Sequence, residues 1–333
     1  MRRMSDDRDL EARAQAGSAQ AQYELGLKML SVDRADADGL RGIALVEAAA
    51  DADLADAMAR LALFEAMGVG RPQNWSRAFD RLQGAAERGS PSAQAQLVLL
   101  SDWQTAAEPV PAPVSDWATL RASIDIDRAL AVGERQILSE TPRIRVVKGF
   151  ATPAECAWLI CRARERLRLA PVFDPATGKQ THDDTRNNSA VEFQVTDMDL
   201  VVELIRARIG RAVNLPVPLF EPTQVLHYAV GQRFAPHHDF LDPANPGYRE
   251  TLRFGQRIAT FLLYLNEGFE GGATEFPTAR VSFRGATGDA LFFANVDRQG
   301  QPDPATLHAG VAPTSGEKWL LSQWIRDRAG QPQ

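Results

Sequence analysis

The sequence predicts an α+β multidomain chain: an N-terminal α-helical repeat (α-solenoid) domain, then a double-stranded β-helix (jelly-roll) domain with flanking helices. Three observations predict it. Alanine-rich helical units recur through residues 1–103. Near Pro142 the pattern changes to apolar–polar alternation. After Pro222 the chain becomes short apolar runs split by turns, the signature of a strand-rich sandwich or barrel.

The repeat is read from AQYELG at Ala21, AMARLA at Ala57 and AQLVLL at Ala95, each with Leu four residues after Ala, in steps of 36 and 38 residues. Between them lie the second-helix patterns LRGIALVEAAAD and WSRAFDRLQGAAERG, the latter ending on Gly89 as a helix C-cap. A period near this length is one helix-turn-helix unit, and small residues let paired helices approach closely. The segment resembles the Sel-like, tetratricopeptide-related repeats, with two full units and part of a third. Residues 104–140 follow as a linker and connecting helix. TAAEPVPAPVSDW holds three prolines and reads as stiff and extended, and residues 116–139 read as helical.

The second domain is expected over residues 141–328. RIRVVKGF alternates like a strand, and TPAECAWLICRARERL reads as a helix capped by Thr152. DPATGKQTHDDTRNN is a polar loop and DMDLVVELIRARIGRAV a second helix. The strands expected after Pro222 are QVLHYAV, RIATFLLYL, ATEFP, RVSFRG, DALFFANV, LHAGVAP and KWLLSQWI.

Composition excludes some function classes. The chain has 333 residues, 44% of them hydrophobic, enough for two cores. A net charge of −6 without a basic block gives no electrostatic case for nucleic acid or a membrane surface. No apolar run suits a spanning helix, and the N-terminus lacks the apolar core of a signal peptide. Cys156 and Cys161, five apart on one helix, face different sides, so reduced thiols in a cytoplasmic protein are expected.

The chemistry concentrates in PHHDF. On a strand, residues i and i+2 share a face, so His237 and Asp239 converge while His238 points away. His308, 69 residues beyond Asp239 and opening another strand, is the candidate third ligand. Two histidines and one carboxylate on one side of a metal typify non-haem Fe(II) oxygenases. Lys318, ten residues after His308, sits in an apolar strand, where an ammonium is costly unless it meets an anion.

These residues fall in ordered blocks: QVLHYAVGQRFAPHHDFLDPANP, GQRIATFLLYLNEGFEGGATEFP, GDALFFANVD and DPATLHAGVAPTSGEKWLLSQWI. From about Pro142 to Arg328 the chain resembles the prolyl 4-hydroxylase-like Fe(II)/2-oxoglutarate dioxygenases. The resemblance implies that His237, Asp239 and His308 are the catalytic iron ligands. It implies that Lys318 pairs with the 5-carboxylate of 2-oxoglutarate, with the hydroxyls of Tyr228 and Thr274 helping. It puts Arg186 in a mobile loop facing a peptide. Asn187 and Asn188 depart from the small hydroxyl residues common there, which bears on substrate identity. Gly271 and Gly272 read as a tight turn, and Asp289 is assigned no catalytic part. Trp319 and Trp324 are expected to pack the barrel. His227 is expected in a core or surface role, and His182 in solvent.

The implied reaction is hydroxylation of an unactivated C–H bond with Fe(II), 2-oxoglutarate and O2, releasing succinate and CO2. Ascorbate dependence is implied by resemblance alone. The leading expectation is a prolyl residue in a peptide or protein, with the repeats recruiting substrate or a protein partner. The alternatives are a free amino acid or other small molecule on the same fold, and a metal-binding scaffold without turnover. An intact Lys318 weighs against the scaffold.

Overall fold

The structure, a computed structural model, describes residues 2–30, 36–101, 116–174 and 179–329. The chain forms two compact units, one of residues 1–130 with 194–205 and one of residues 131–193 with 206–333. The proline-rich stretch lies almost wholly outside the described residues. No described helix is long and apolar enough to cross a membrane.

The first unit is helical: α1 Arg2–Gln15, α2 Ala19–Leu30, α3 Asp36–Asp51, α4 Ala55–Met67, α5 Trp75–Glu87, α6 Pro91–Ser101, α7 Trp117–Ser123 and α8 Ile126–Ala129. Close approach of α2 and α3 rests on glycine. A Cβ on Gly26 would stand 2.8 Å from the Gly42 carbonyl oxygen, and one on Gly42 would stand 3.0 Å from that of Gly26. Ala21 and Leu25, then Ala57 and Leu61, are buried as the repeat requires. In the third unit, however, Ala93 and Leu97 are buried, whereas Ala95 is exposed. The buried register therefore steps 36 residues from Ala21 to Ala57 and 36 from Ala57 to Ala93. An alanine-rich helix offers several alignments, and burial selects this one.

The unit also takes in residues 194–205. Arg60 donates to the carbonyls of Val195, Thr196 and Met198 at 2.8–3.2 Å. Buried Gln96 accepts from the Leu200 N–H at 2.9 Å. One side chain thus satisfies a carbonyl-rich turn and another an orphan donor of a helix's first turn.

The second unit contains α9 Pro153–Arg164, most of α10 Leu200–Val213, and sixteen strands. Before α10 come β1 Arg135–Glu140, β2 Arg143–Val147, β3 Arg168–Leu169, β4 Val172–Asp174, β5 Lys179–Thr181 and β6 Ser189–Phe193. After it come β7 Thr223–Tyr228, β8 Phe234–His237, β9 Arg257–Tyr264, β10 Glu270–Gly271, β11 Thr274–Phe276 and β12 Val281–Phe283. The last four are β13 Ala290–Ala294, β14 His308–Gly310, β15 Pro313–Ser315 and β16 Lys318–Arg326.

The major sheet runs β1-β2-β13-β9-β16-β7-β6-β3 and the minor one β12-β11-β14-β8. From β7 the chain alternates between them, to β8, back to β9, across to β11 and β12, back to β13, across to β14 and back to β16. This is the winding of a double-stranded β-helix. The shared core joins Tyr228, Leu262, Tyr264, Leu291, Phe293 and Leu320 of the major sheet to Phe276 and Phe283 of the minor one.

Residues 135–139, expected to be helical, instead fall in edge strand β1, paired antiparallel with β2. A neighbouring strand overrides the weak local preference of RQILSE for either state.

Thr152 caps α9 as expected: its hydroxyl accepts from the Glu155 N–H at 3.1 Å, and the Glu155 carboxylate accepts from the Thr152 N–H at 2.8 Å. The same carboxylate is gripped by Arg208 at 2.5 and 3.2 Å, and Arg208 also donates to the Phe150 carbonyl at 2.8 Å. Both side chains are fully buried. Arg208→Ala is expected to destabilise the protein by about 3–5 kcal/mol in chemical denaturation, because it strands a buried carboxylate.

Candidate active site

Three predicted ligands converge. Antiparallel pairing of β8 with β14 sets His237 directly opposite His308. Asp239 lies two residues beyond the end of β8. One donor atom from each of His237, Asp239 and His308 lies within 4.8 Å of the others. His237 Nε2 is 3.6 Å from Asp239 Oδ1, and His308 Nε2 is 3.5 Å from Asp239 Oδ2.

The backbone sets both tautomers. His237 Nδ1 donates to the Ala235 carbonyl at 2.8 Å, and His308 Nδ1 donates to the Thr306 carbonyl at 3.0 Å. A carbonyl only accepts, so each Nδ1 carries a proton, and in the neutral ring that leaves the Nε2 lone pair for a metal. The Phe234 ring stacks on His237 at 3.5 Å, and Phe293 meets His308 edge-on at 4.8 Å. Burial, then the neighbouring His237, lowers the His308 imidazole to about 4, so it stays neutral. Burial alone would raise Asp239, but His308, His237 and the Thr260 hydroxyl outweigh it and keep the carboxyl ionised. Neutral imidazoles and an anionic carboxylate are what a divalent cation needs.

His238 is no part of the cluster. Its Nε2 donates to the Pro304 carbonyl at 3.1 Å and its ring lies against Phe240.

Lys318 pairs across the sheet with Tyr228. Its side chain is fully buried, and its Nζ has no hydrogen-bond partner among the described residues. Nζ sits 5.1 Å from the Tyr228 ring centre and 5.4 Å from that of Tyr264. Burial lowers the ammonium to about 7. A buried lysine head group on the sheet face that also presents Leu320, Ser322 and Trp324 to the cavity would be protonated and held by an anionic co-substrate.

Tyr228 and Thr274 line that same cavity. Gly310 makes room for the Tyr228 hydroxyl, because a Cβ there would lie 3.2 Å from it. The Tyr264 hydroxyl donates to the Phe283 carbonyl at 2.9 Å, so the Thr274 hydroxyl 2.9 Å away donates to Tyr264.

Arg186 also lines the cavity and is buried. The segment around it is tied to β8: Arg186 bridges Phe234, and the Ala235 N–H donates to the Thr185 carbonyl at 2.7 Å. Its Nε donates to Asn188 Oδ1 at 3.1 Å and its Nη1 to the Pro171 carbonyl at 3.2 Å. Asn187 Oδ1 accepts from the Arg233 N–H at 2.7 Å. The two asparagines thus anchor the arginine segment.

Trp319 is buried as expected; Trp324 is partly buried and also lines the cavity, with the Arg257 guanidinium 3.6 Å from its ring centre. Gln224, Ser322 and Tyr264 were not singled out. They stand in runs whose apolar neighbours mask them. Asp289 has a structural role, accepting from Lys148 Nζ and from the N–H groups of Gly149 and Ala286 at 2.7–3.0 Å.

The 2OG-Fe(II) oxygenase superfamily profile matches residues 223–326. Prolyl 4-hydroxylase 1 of Arabidopsis thaliana is 35% identical over 209 residues, spanning 58% of this chain and 72% of that protein. The chain belongs to the prolyl 4-hydroxylase family of 2OG-Fe(II) oxygenases. Prolyl 4-hydroxylase subunit alpha-1 of Rattus norvegicus is 34% identical over 199 residues, covering 60% of this chain and 37% of that one. Among solved structures, a viral collagen prolyl hydroxylase from Paramecium Bursaria Chlorella virus-1, in its 2OG complex, aligns with 55% of this chain and 95% of its own, at 29% identity and a TM-score of 0.43. A Sel1 repeat protein from Oxalobacter formigenes aligns with 35% of this chain and 89% of its own, at 26% identity and a TM-score of 0.28.

Fe(II), 2-oxoglutarate and O2 are the cofactors of this oxygenase family, and the donor set fits the metal. In a Co(II) titration, His308→Ala is expected to weaken binding by roughly 100-fold or more, and His238→Phe to change it by no more than about threefold. Metal loss in His238→Phe would overturn the strand-parity assignment.

Proposed function

We propose that this oxygenase hydroxylates a prolyl residue in a peptide or protein, converting 2-oxoglutarate and O2 to succinate and CO2. One observation carries the reading: the His237–Asp239–His308 cluster lines a cavity walled by Tyr228, the cross-strand neighbour of a buried Lys318 with no hydrogen-bond partner among the described residues, in a chain 35% identical to a prolyl 4-hydroxylase over 209 residues. Iron held by His237, Asp239 and His308 would supply the O2 activation that no side chain can.

The protein's own residues do the rest. Lys318 holds the distal carboxylate of 2-oxoglutarate through a charge-assisted hydrogen bond. Tyr228 keeps its proton, since burial raises the phenol to about 12, and so remains a donor. Thr274 turns its hydroxyl from Tyr264 toward the incoming carboxylate. Arg186, with Nε and Nη1 already engaged, offers Nη2 to a substrate carbonyl. The helical unit recruits the peptide or a protein partner, as such solenoids do. A second reading keeps the chemistry and takes a free amino acid or another small molecule as substrate.

Succinate release should rise when a proline-rich peptide is added, with one oxygen gained by mass spectrometry. Stimulation by free amino acids alone would support the second reading. Metal binding without turnover would sink both.

Lys318→Ala is expected to raise the 2-oxoglutarate requirement roughly 10- to 100-fold. The pH dependence has a definite sign. Free Lys318 is protonated below about 7 and neutral above it, while a bound carboxylate favours the ammonium. Binding above pH 7 therefore takes up a proton, and affinity should fall by about tenfold per pH unit. Calorimetric titration across pH should find this slope in the native protein and lose it in Lys318→Ala.

A further inference from the structure

The carboxylate of the ligand cluster is itself held by a buried polar relay. Thr260, on central strand β9 and 1% exposed, sets its hydroxyl oxygen 2.7 Å from Asp239 Oδ2. Asn295, fully buried just after β13, sets Nδ2 3.0 Å from that same hydroxyl oxygen. The other amide atom, Asn295 Oδ1, is buried without a partner.

Proton counting makes the relay directional. An ionised carboxylate only accepts hydrogen bonds, and a threonine hydroxyl has one proton. That proton must point at Asp239, so the hydroxyl's lone pair must face Asn295, which must present its NH2. Turning the amide over would satisfy Oδ1 with the threonine proton, but it would leave Asp239 Oδ2 without a donor. A buried unpaired amide oxygen is uncommon and calls for a reason. Here the reason is that the other end of the amide is committed to orienting Thr260.

We propose that Asn295 and Thr260 are positioning residues for the metal-binding carboxylate. Asn295 orients the Thr260 hydroxyl, Thr260 holds Oδ2, and Oδ1 is left as the atom that takes the cation. Neither residue touches the metal or a substrate; both act through Asp239. The relay keeps the carboxylate to one ligand atom, which leaves coordination positions for other groups. This inference rests on the His237–Asp239–His308 ligand reading.

The test is Co(II) titration under anaerobic conditions. It follows affinity and the visible absorption, whose intensity reports coordination number. Thr260→Val keeps the side-chain shape and removes the donor. It is expected to weaken Co(II) binding roughly 10- to 100-fold and to change the spectrum. Thr260→Ser restores the hydroxyl and should return both to near native. Asn295→Ala should fall between, weakening binding by about 5- to 10-fold. Wild-type affinity and spectrum in both Thr260→Val and Asn295→Ala would overturn the relay. If Thr260→Val does not accumulate as folded protein, Asn295→Ala decides by the same criterion. If native protein binds Co(II) no better than His308→Ala, the ligand reading fails and the relay with it. If His308→Ala loses Co(II) while Thr260→Val and Asn295→Ala both keep it unchanged, only the relay fails.

Discussion

The pairing of β8 with β14 is the constraint on which the site depends. It sets His237 opposite His308 on one face of the minor sheet. A one-residue slip of β8 would turn His237 to the other face, carry Asp239 with it and leave His308 behind. Each imidazole is then locked by a bond from Nδ1 to the carbonyl two residues earlier in its own chain. Phe234, Phe276 and Phe293 pack around the rings and exclude water. Strand register thus becomes metal geometry, with tautomer and orientation supplied by backbone that the fold must form anyway.

The major sheet contributes the opposite kind of feature. Lys318 is a lysine head group sealed in a β-sandwich with no hydrogen-bond partner among the described residues. Two tyrosine rings soften its burial but do not satisfy three N–H donors. A folded protein keeps such a group where a ligand offsets the cost, so local stability is traded for affinity. By contrast, the buried charges of Glu155 and Arg208, and of Glu221 with Arg257 and Arg326, satisfy one another within the chain.

Much of this is legible in the sequence, for particular reasons. His237 and Asp239 could be paired, and His238 set aside, because strand parity is a local property. Lys318 stood out because a charge in an apolar run contradicts its surroundings. Thr260, Asn295 and Tyr264 did not stand out. Threonine, asparagine and tyrosine are unremarkable in or beside a strand, and their roles come from partners on other strands. Trp324 reads as core until Arg257 and the cavity around it are seen. Two features are likewise non-local: burial chooses among the alanines of the third helical repeat, and β1 is a strand because β2 lies beside it.

The most direct measurement is visible absorption of the Fe(II)-loaded protein as 2-oxoglutarate is added without oxygen. If the cluster binds iron and Lys318 steers 2-oxoglutarate onto it, a new charge-transfer band should grow to saturation in the native protein and fail to form in His308→Ala. A native protein that binds both components but develops no band would contradict the account.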